Sequence, residues 1–102
     1  MIICEEMQKL RNYLDKKEIA WKDVSENFGR GLWICRTHFD FKDYKWSVVN
    51  GSGTYGGFYI DEKKNPGLLE LMVDCVNGGE PIGSLKAEDV IKYIRSEYGR
   101  TV

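Results

Sequence analysis

The chain has no Gly-Lys-Ser or Gly-Lys-Thr, no Cys-x-x-Cys, a single histidine (His38) and only two prolines. Each absence removes a class of function. Without the glycine–lysine–hydroxyl sequence there is no phosphate loop of the P-loop type. With one histidine and three scattered cysteines, Cys4, Cys35 and Cys75, a zinc site would have to draw ligands from distant elements with no cysteine pair to anchor it. No metal and no cofactor is expected. An odd number of unpaired cysteines also speaks against a secreted disulfide framework, so the thiols are expected to be reduced and to serve as small buried hydrophobes. No apolar run approaches the roughly 20 residues of a membrane span. Met1-Ile2-Ile3-Cys4-Glu5-Glu6 lacks the basic segment and the length of a secretion signal. The expected location is the cytoplasm, with no membrane partner.

Charge of one sign is also missing. Fifteen basic residues stand against 16 acidic ones, a formal net charge of -1, so the whole-protein field does not attract a phosphate backbone. A chain of 102 residues has room for one core, and 42% hydrophobic with 30% charged residues is the balance of a globular domain. One domain over 1–102 is expected.

The periodicity places a helix at each end. Met7, Leu10 and Leu14, with Tyr13 beside them, recur at spacings of three and four over Cys4 to Lys17, while Glu6, Gln8, Lys9, Arg11, Asn12 and Asp15 fill the other face. Near the C-terminus Ala87, Val90, Ile91, Ile94 and Tyr98 form a second stripe. Its start falls at Ser84 or just after, Glu88 and Asp89 oppose the dipole in its first turn, and Gly99 is read as its left-handed stop.

Between them the period is two. Ile19, Trp21 and Asp23 suggest a short strand, with a continued helix over 18–25 as the rival, and Ser25 to Gly31 reads as a loop. Leu32 to Phe39 alternates clearly, and the face of Trp33, Cys35, Thr37 and Phe39 is expected to be buried, opposite Arg36 and His38. Asp40 to Tyr44 is a turn, and Lys45 to Asn50 returns as the partner strand, with Trp46 and Val48 on one side and Ser47 and Val49 on the other. Leu68 to Cys75 is a further strand, Asn77-Gly78-Gly79-Glu80-Pro81 a turn, and Pro81 to Leu85 an edge segment. The order is helix, four or five strands, helix: an α+β domain with an antiparallel sheet and both helices on one face.

The glycine-rich run Gly51-Ser52-Gly53-Thr54-Tyr55-Gly56 has dinucleotide-loop spacing but no helix following it, so 50–57 is expected to be a structural loop with positive φ at several glycines, Tyr55 folding back onto the sheet. Cys35 and His38 are three apart on a strand and diverge, which removes the obvious nucleophile pair. The acidic pairs Glu5-Glu6, Asp61-Glu62 and Glu88-Asp89 fall at helix starts and turns, where they cap and solvate. No catalytic residue is identified. From Gly29 to Ile60 four basic residues stand against two acids, among Trp33, Phe39, Phe41, Tyr44 and Trp46.

Two functions follow as expectations. The first is a non-enzymatic interaction domain, an adaptor or regulatory accessory of the type found in bacterial or phage genomes, binding a protein partner or a second copy through a surface including Arg36, His38, Tyr44, Trp46 and Tyr55. The alternative is contact with nucleic acid or a small anion through the aromatic and basic hairpin 30–46 and the glycine-rich loop 50–57.

Overall fold

A computed structural model describes residues 4–29, 32–51 and 67–100. Helix α1 spans Glu5–Lys16, followed by strands β1 (Trp21–Asp23), β2 (Glu26–Gly29), β3 (Leu32–Phe41), β4 (Tyr44–Gly51), β5 (Leu69–Met72) and β6 (Ile82–Leu85), then helix α2 (Ala87–Arg100). The strands form one antiparallel sheet in the order β1-β3-β4-β5-β6, with β2 also on β3. The α+β class and the helix–sheet–helix order are as the periodicity implies.

The spacing of α1 explains what it buries. Met7, Leu10 and Leu14 lie on one face, each 0% exposed, and each contributes about 2 kcal/mol by leaving water. They meet Cys35 and Phe39 of β3, Trp46 and Val48 of β4, Leu69 and Leu71 of β5, and Ala87, Val90 and Ile94 of α2 in one cluster. The helices also hold each other. The Glu6 carboxylate of α1 accepts the Ala87 backbone N–H at 2.8 Å, and Asp89 accepts that of Lys86 at 2.9 Å, so two orphan donors at the start of α2 are satisfied.

The hairpin β3–β4 turns on two residues. Lys42 (φ 53°) and Asp43 (φ 68°) both have the positive φ of a type I′ turn, which fixes the register Phe41 opposite Tyr44 and Phe39 opposite Trp46. At its far end, Gly51 is needed for a different reason. A Cβ there would overlap the Trp33 carbonyl oxygen and come within 2.7 Å of Ile34 Cα, and φ is +149°.

Several expectations need correction. Residues 26–29, read as loop, form β2: all four are exposed, so the segment carries no apolar alternation to mark it. Beta strands β1 and β2 keep one register along β3, Asp23 opposite Thr37 and Glu26 opposite Ile34. Between the two strands Ser25 Oγ, 2.9 Å away, accepts the Arg36 N–H in place of a carbonyl, and the register shifts by one further on, between Asn27 and Gly29. Gly51, expected to be loop, finishes β4 after Asn50, because it continues the pairing, opposite Ile34. The remainder of the glycine-rich run, including Tyr55, lies outside the described residues. Beyond Met72 the predicted strand leaves the sheet, although Val73 stays buried. Helix α2 starts at Ala87, after Ser84 has served as the positive-φ residue (57°) of a bulge in β6, and it runs through Gly99 to Arg100, so Gly99 does not stop it. Arg11, assigned to the polar face of α1, is 3% exposed.

Candidate functional site

The sheet has two unlike faces, and register decides which residues share each. Toward the helices point Cys35, Thr37 and Phe39, with their partners Asn50, Val48 and Trp46, all 3% exposed or less. Phe39 and Trp46 stack at 5.7 Å with an interplanar angle of 14°, and the Trp46 indole donates to the Phe41 carbonyl oxygen at 3.3 Å. Trp46, at 1% exposed, therefore belongs to the core and leaves the expected interaction surface. The physical reason is the two-residue turn, which sets Trp46 opposite Phe39 and hence on its face. Tyr44 is exposed (40%) at the hairpin tip, but its pairing with Phe41 puts it on the helix side of the sheet, away from Arg36 and His38.

The opposite face brings Arg36 and His38 together, as expected, and adds residues the sequence reading did not name for a site. Its residues stand in rows across the strands: Lys22, His38, Ser47, Met72 in one; Arg36, Val49, Glu70 in the next; Glu26 and Ile34 in a third; Asp40 and Lys45 at the end. Neither helix contributes to this face among the described residues, and Met72 is 48% exposed. The two central rows line a shallow depression of about 300 Å³ formed by Arg36, His38, Ser47, Val49, Glu70 and Met72. Alternation and the turn register together were the signal that could have found them.

The electrostatics of the face are mixed. Arg36 reaches Glu26 at 3.7 Å, a partly exposed pair of small energetic weight. His38 shares a hydrogen bond with the Ser47 hydroxyl at 3.1 Å. Burial, then the positive charges of Arg36 and Lys45, hold its pKa below the ordinary value, with Asp40 opposing them. His38 is thus a neutral imidazole near pH 7.

Beside this face, a wider cleft of about 700 Å³ opens between the segment Glu18–Lys22 and the end of the hairpin, with Lys22, Lys42 and Lys45 among its walls. Its aromatic wall is Trp21, Phe39 and Phe41, of which Phe39 is buried and Trp21 is occupied by its own partners.

Those partners belong to a polar cluster beneath the sheet. Arg11 projects from α1 into the β1–β3 junction. There its Nε donates to Thr37 Oγ1 at 2.8 Å, and its Nη2 approaches Asp23 at 3.3 Å, the Arg36 carbonyl oxygen at 3.4 Å and Cys35 Sγ at 3.8 Å. The guanidinium lies 4.6 Å from the Trp21 ring centroid, and the Trp21 indole donates to Asp15 at 2.8 Å. Asp23 also accepts from the Ser25 hydroxyl and backbone N–H. The Ser25 hydroxyl bond leads the causes that lower its pKa, with Arg11 adding to it against burial. Cys35 is pushed the other way by burial, despite Ser25 and Arg11, so its thiol stays protonated. The arrangement anchors a helix to a strand break. Cys35 and His38, three apart on β3, face opposite sides of the sheet, as strand geometry requires.

No protein-family model, curated protein or solved structure matches the chain.

Proposed function

We propose that this chain is a non-enzymatic protein-interaction domain that docks a protein on the helix-free face of its sheet. The observation that supports this most directly is the depression lined by Arg36, His38, Ser47, Val49, Glu70 and Met72. It combines an exposed methionine and an arginine, two residue types enriched at interfaces, with hydrogen-bonding groups around a valine. The face is what an antiparallel sheet with helices on one side leaves for solvent or a partner.

The alternative, base stacking by the aromatic hairpin, has less to work with. Phe39 and Trp46 stack on each other inside the core, and Trp33 and Phe41 pack against it. A nucleic-acid platform needs exposed ring faces.

The test is a comparison of three immobilised baits in a lysate of the native host. Wild type should retain a protein, native copies of the chain included, that Met72→Arg loses and that Lys92→Glu, altered on the exposed side of α2, keeps. Equal retention by wild type and Met72→Arg, both folded by circular dichroism, would refute the assignment of the face.

A further inference from the structure

We infer that Asn77 is a self-modification site, whose side-chain amide cyclises onto the Gly78 nitrogen and hydrolyses to aspartate and isoaspartate, while the fold shuts the chain's other Asn-Gly pair. The inference concerns the connection between β5 and β6, and it stands independently of what docks on the open face.

Asparagine followed by glycine is open to this reaction because glycine has no Cβ to crowd its nitrogen or to restrict the backbone rotation that brings the nitrogen to the side chain. The sequence has two such pairs, Asn50-Gly51 and Asn77-Gly78. In an unfolded chain the chemistry treats them alike, so the structure decides between them.

The Gly78 nitrogen attacks Asn77 Cγ. A nitrogen–carbon bond forms, the Cγ–Nδ2 bond breaks, and Nδ2 leaves as ammonia with the proton given up by Gly78, closing a cyclic imide. Water then adds to either imide carbonyl. Opening at Cγ restores the main chain and leaves aspartate. Opening at the main-chain carbon leaves isoaspartate, in which the chain runs through Cγ and the main-chain carbon becomes a free carboxylate. Water is the co-reactant, and no electrons are exchanged.

The surroundings of Asn77 allow each step. Asn77 and Gly78 are both exposed, so water reaches the amide and ammonia can leave. The side chain is barely held: Nδ2 lies 3.5 Å from the Glu80 carbonyl oxygen, the outer limit of a hydrogen bond. The turn is tied by the Gly79 N–H, which donates to the Val76 carbonyl oxygen, and by the Glu80 N–H, which donates to that of Asn77. Between them the Gly78 N–H meets no acceptor among the described residues. Both residues have left-handed backbone, φ 52° and 63°, in a short turn whose rotation opens no strand pairing.

Asn50 differs on every count. It is 0% exposed, its Nδ2 donates to the Leu68 carbonyl oxygen at 2.7 Å, and it pairs with Cys35 of β3. Gly51 continues that pairing opposite Ile34 and lies close against the Trp33 carbonyl, so neither residue turns without opening the β3–β4 ladder. At Asn77 the product also changes the turn. A carboxylate oxygen replaces the Nδ2 that faces the Glu80 carbonyl oxygen, and the isoaspartyl form lengthens the main chain by a methylene next to buried Val76.

Peptide mapping by mass spectrometry tests the inference. Folded and guanidinium-unfolded samples are kept for days in the same warm, mildly alkaline buffer, and the exchange of NH for O is followed at each pair. In the folded chain Asn77 should convert at least about tenfold faster than Asn50, whereas in the unfolded chain the two rates should agree within about threefold. Gly78→Ala, whose Cβ meets nothing within 4 Å, should slow conversion at Asn77 by about tenfold or more by crowding the attacking nitrogen. Isoaspartate at this position should accept a methyl group from S-adenosylmethionine through an isoaspartyl methyltransferase. An Asn77 that converts only in the unfolded chain, equal rates at the two pairs in the folded chain, or conversion indifferent to Gly78→Ala would overturn the inference.

Discussion

Replacing Gly51 by alanine adds one methyl group, and the structure says where it must go. The new Cβ would overlap the Trp33 carbonyl oxygen and lie 2.7 Å from Ile34 Cα. Both are backbone atoms of β3, so relief requires the β3–β4 ladder to separate or twist at the pair Ile34–Gly51. The residue also has φ of +149°, which costs an L-residue about 1–3 kcal/mol by itself. Overpacking against a backbone that is hydrogen-bonded in a sheet adds about 1–3 kcal/mol. The expected loss is about 3–5 kcal/mol, a large share of the stability of a domain this size. Gly78→Ala separates the two contributions. Gly78 has φ of +63° with nothing within 4 Å of a built Cβ, so it pays only the conformational part, about 1 kcal/mol. Urea and thermal unfolding of the three proteins should give a melting temperature lower by about 15 °C or more for Gly51→Ala and by about 5 °C for Gly78→Ala. If the two substitutions cost the same, the close approach of β4 to the β3 backbone is not as described, and the argument for this glycine fails.

Truncation of Arg11 should show that this buried cation is a packing and hydrogen-bonding element of the core. Arg11→Ala is expected to cost about 3 kcal/mol in urea unfolding, at the low end for a broken buried pair because Asp23 keeps 53% of its side-chain surface in water. Arg11→Met, which keeps an unbranched apolar stem at this buried position, should cost less than half as much, and equal losses would contradict a packing role for the stem. For His38 the folded pKa is below that of the unfolded chain, about 6.5, so the unfolded state takes up the proton first as pH falls. Stability should therefore decline from pH about 7 toward pH about 5, a slope that His38→Gln flattens in denaturant titrations at each pH. An unchanged slope would refute it. Glu6→Ala removes the acceptor for the Ala87 N–H and should lower stability by about 1 kcal/mol, whereas Glu5→Ala, on the exposed side of α1, should change thermal unfolding little.

What could be read from the sequence was whatever rests on local period. Met7, Leu10 and Leu14 announce α1, and the alternation of Leu32 to Phe39 announces which side of β3 is buried, because both follow from geometry within one element. What depended on pairing between elements was harder. Trp46 could be placed on either face until the turn was known to hold only Lys42 and Asp43, and neither is the glycine or asparagine that usually marks such a turn. Strand β2 was hidden because an edge exposed on both sides needs no apolar pattern. Arg11 misled in the opposite way. It stands four residues after Met7 and three before Leu14, which is the position of a core residue, yet its charge suggested the solvent face. Its burial depends on Thr37, Asp23 and the strand break at Ser25, three groups from two other segments that no window along the helix contains. The site was legible to the same degree. Arg36 and His38 share a face by alternation, but Glu70 and Met72 join them only through the register of β5 on β4.

The distribution of aromatics bears on how tightly the open face can hold a partner. Phe39 and Trp46 are taken up by the core, and Trp21 is fixed between Arg11 and Asp15. The central rows of the open face therefore contain none of the tryptophan or tyrosine anchors that usually dominate binding energy. Affinity there has to come from Met72 and Val49, and orientation from the charges at the ends of the row. Among the described residues the apolar groups of this face are interleaved with Arg36, Glu70, Lys22 and Ser47, so they form no contiguous apolar patch that would force permanent association. A contact of this composition is reversible and concentration-dependent.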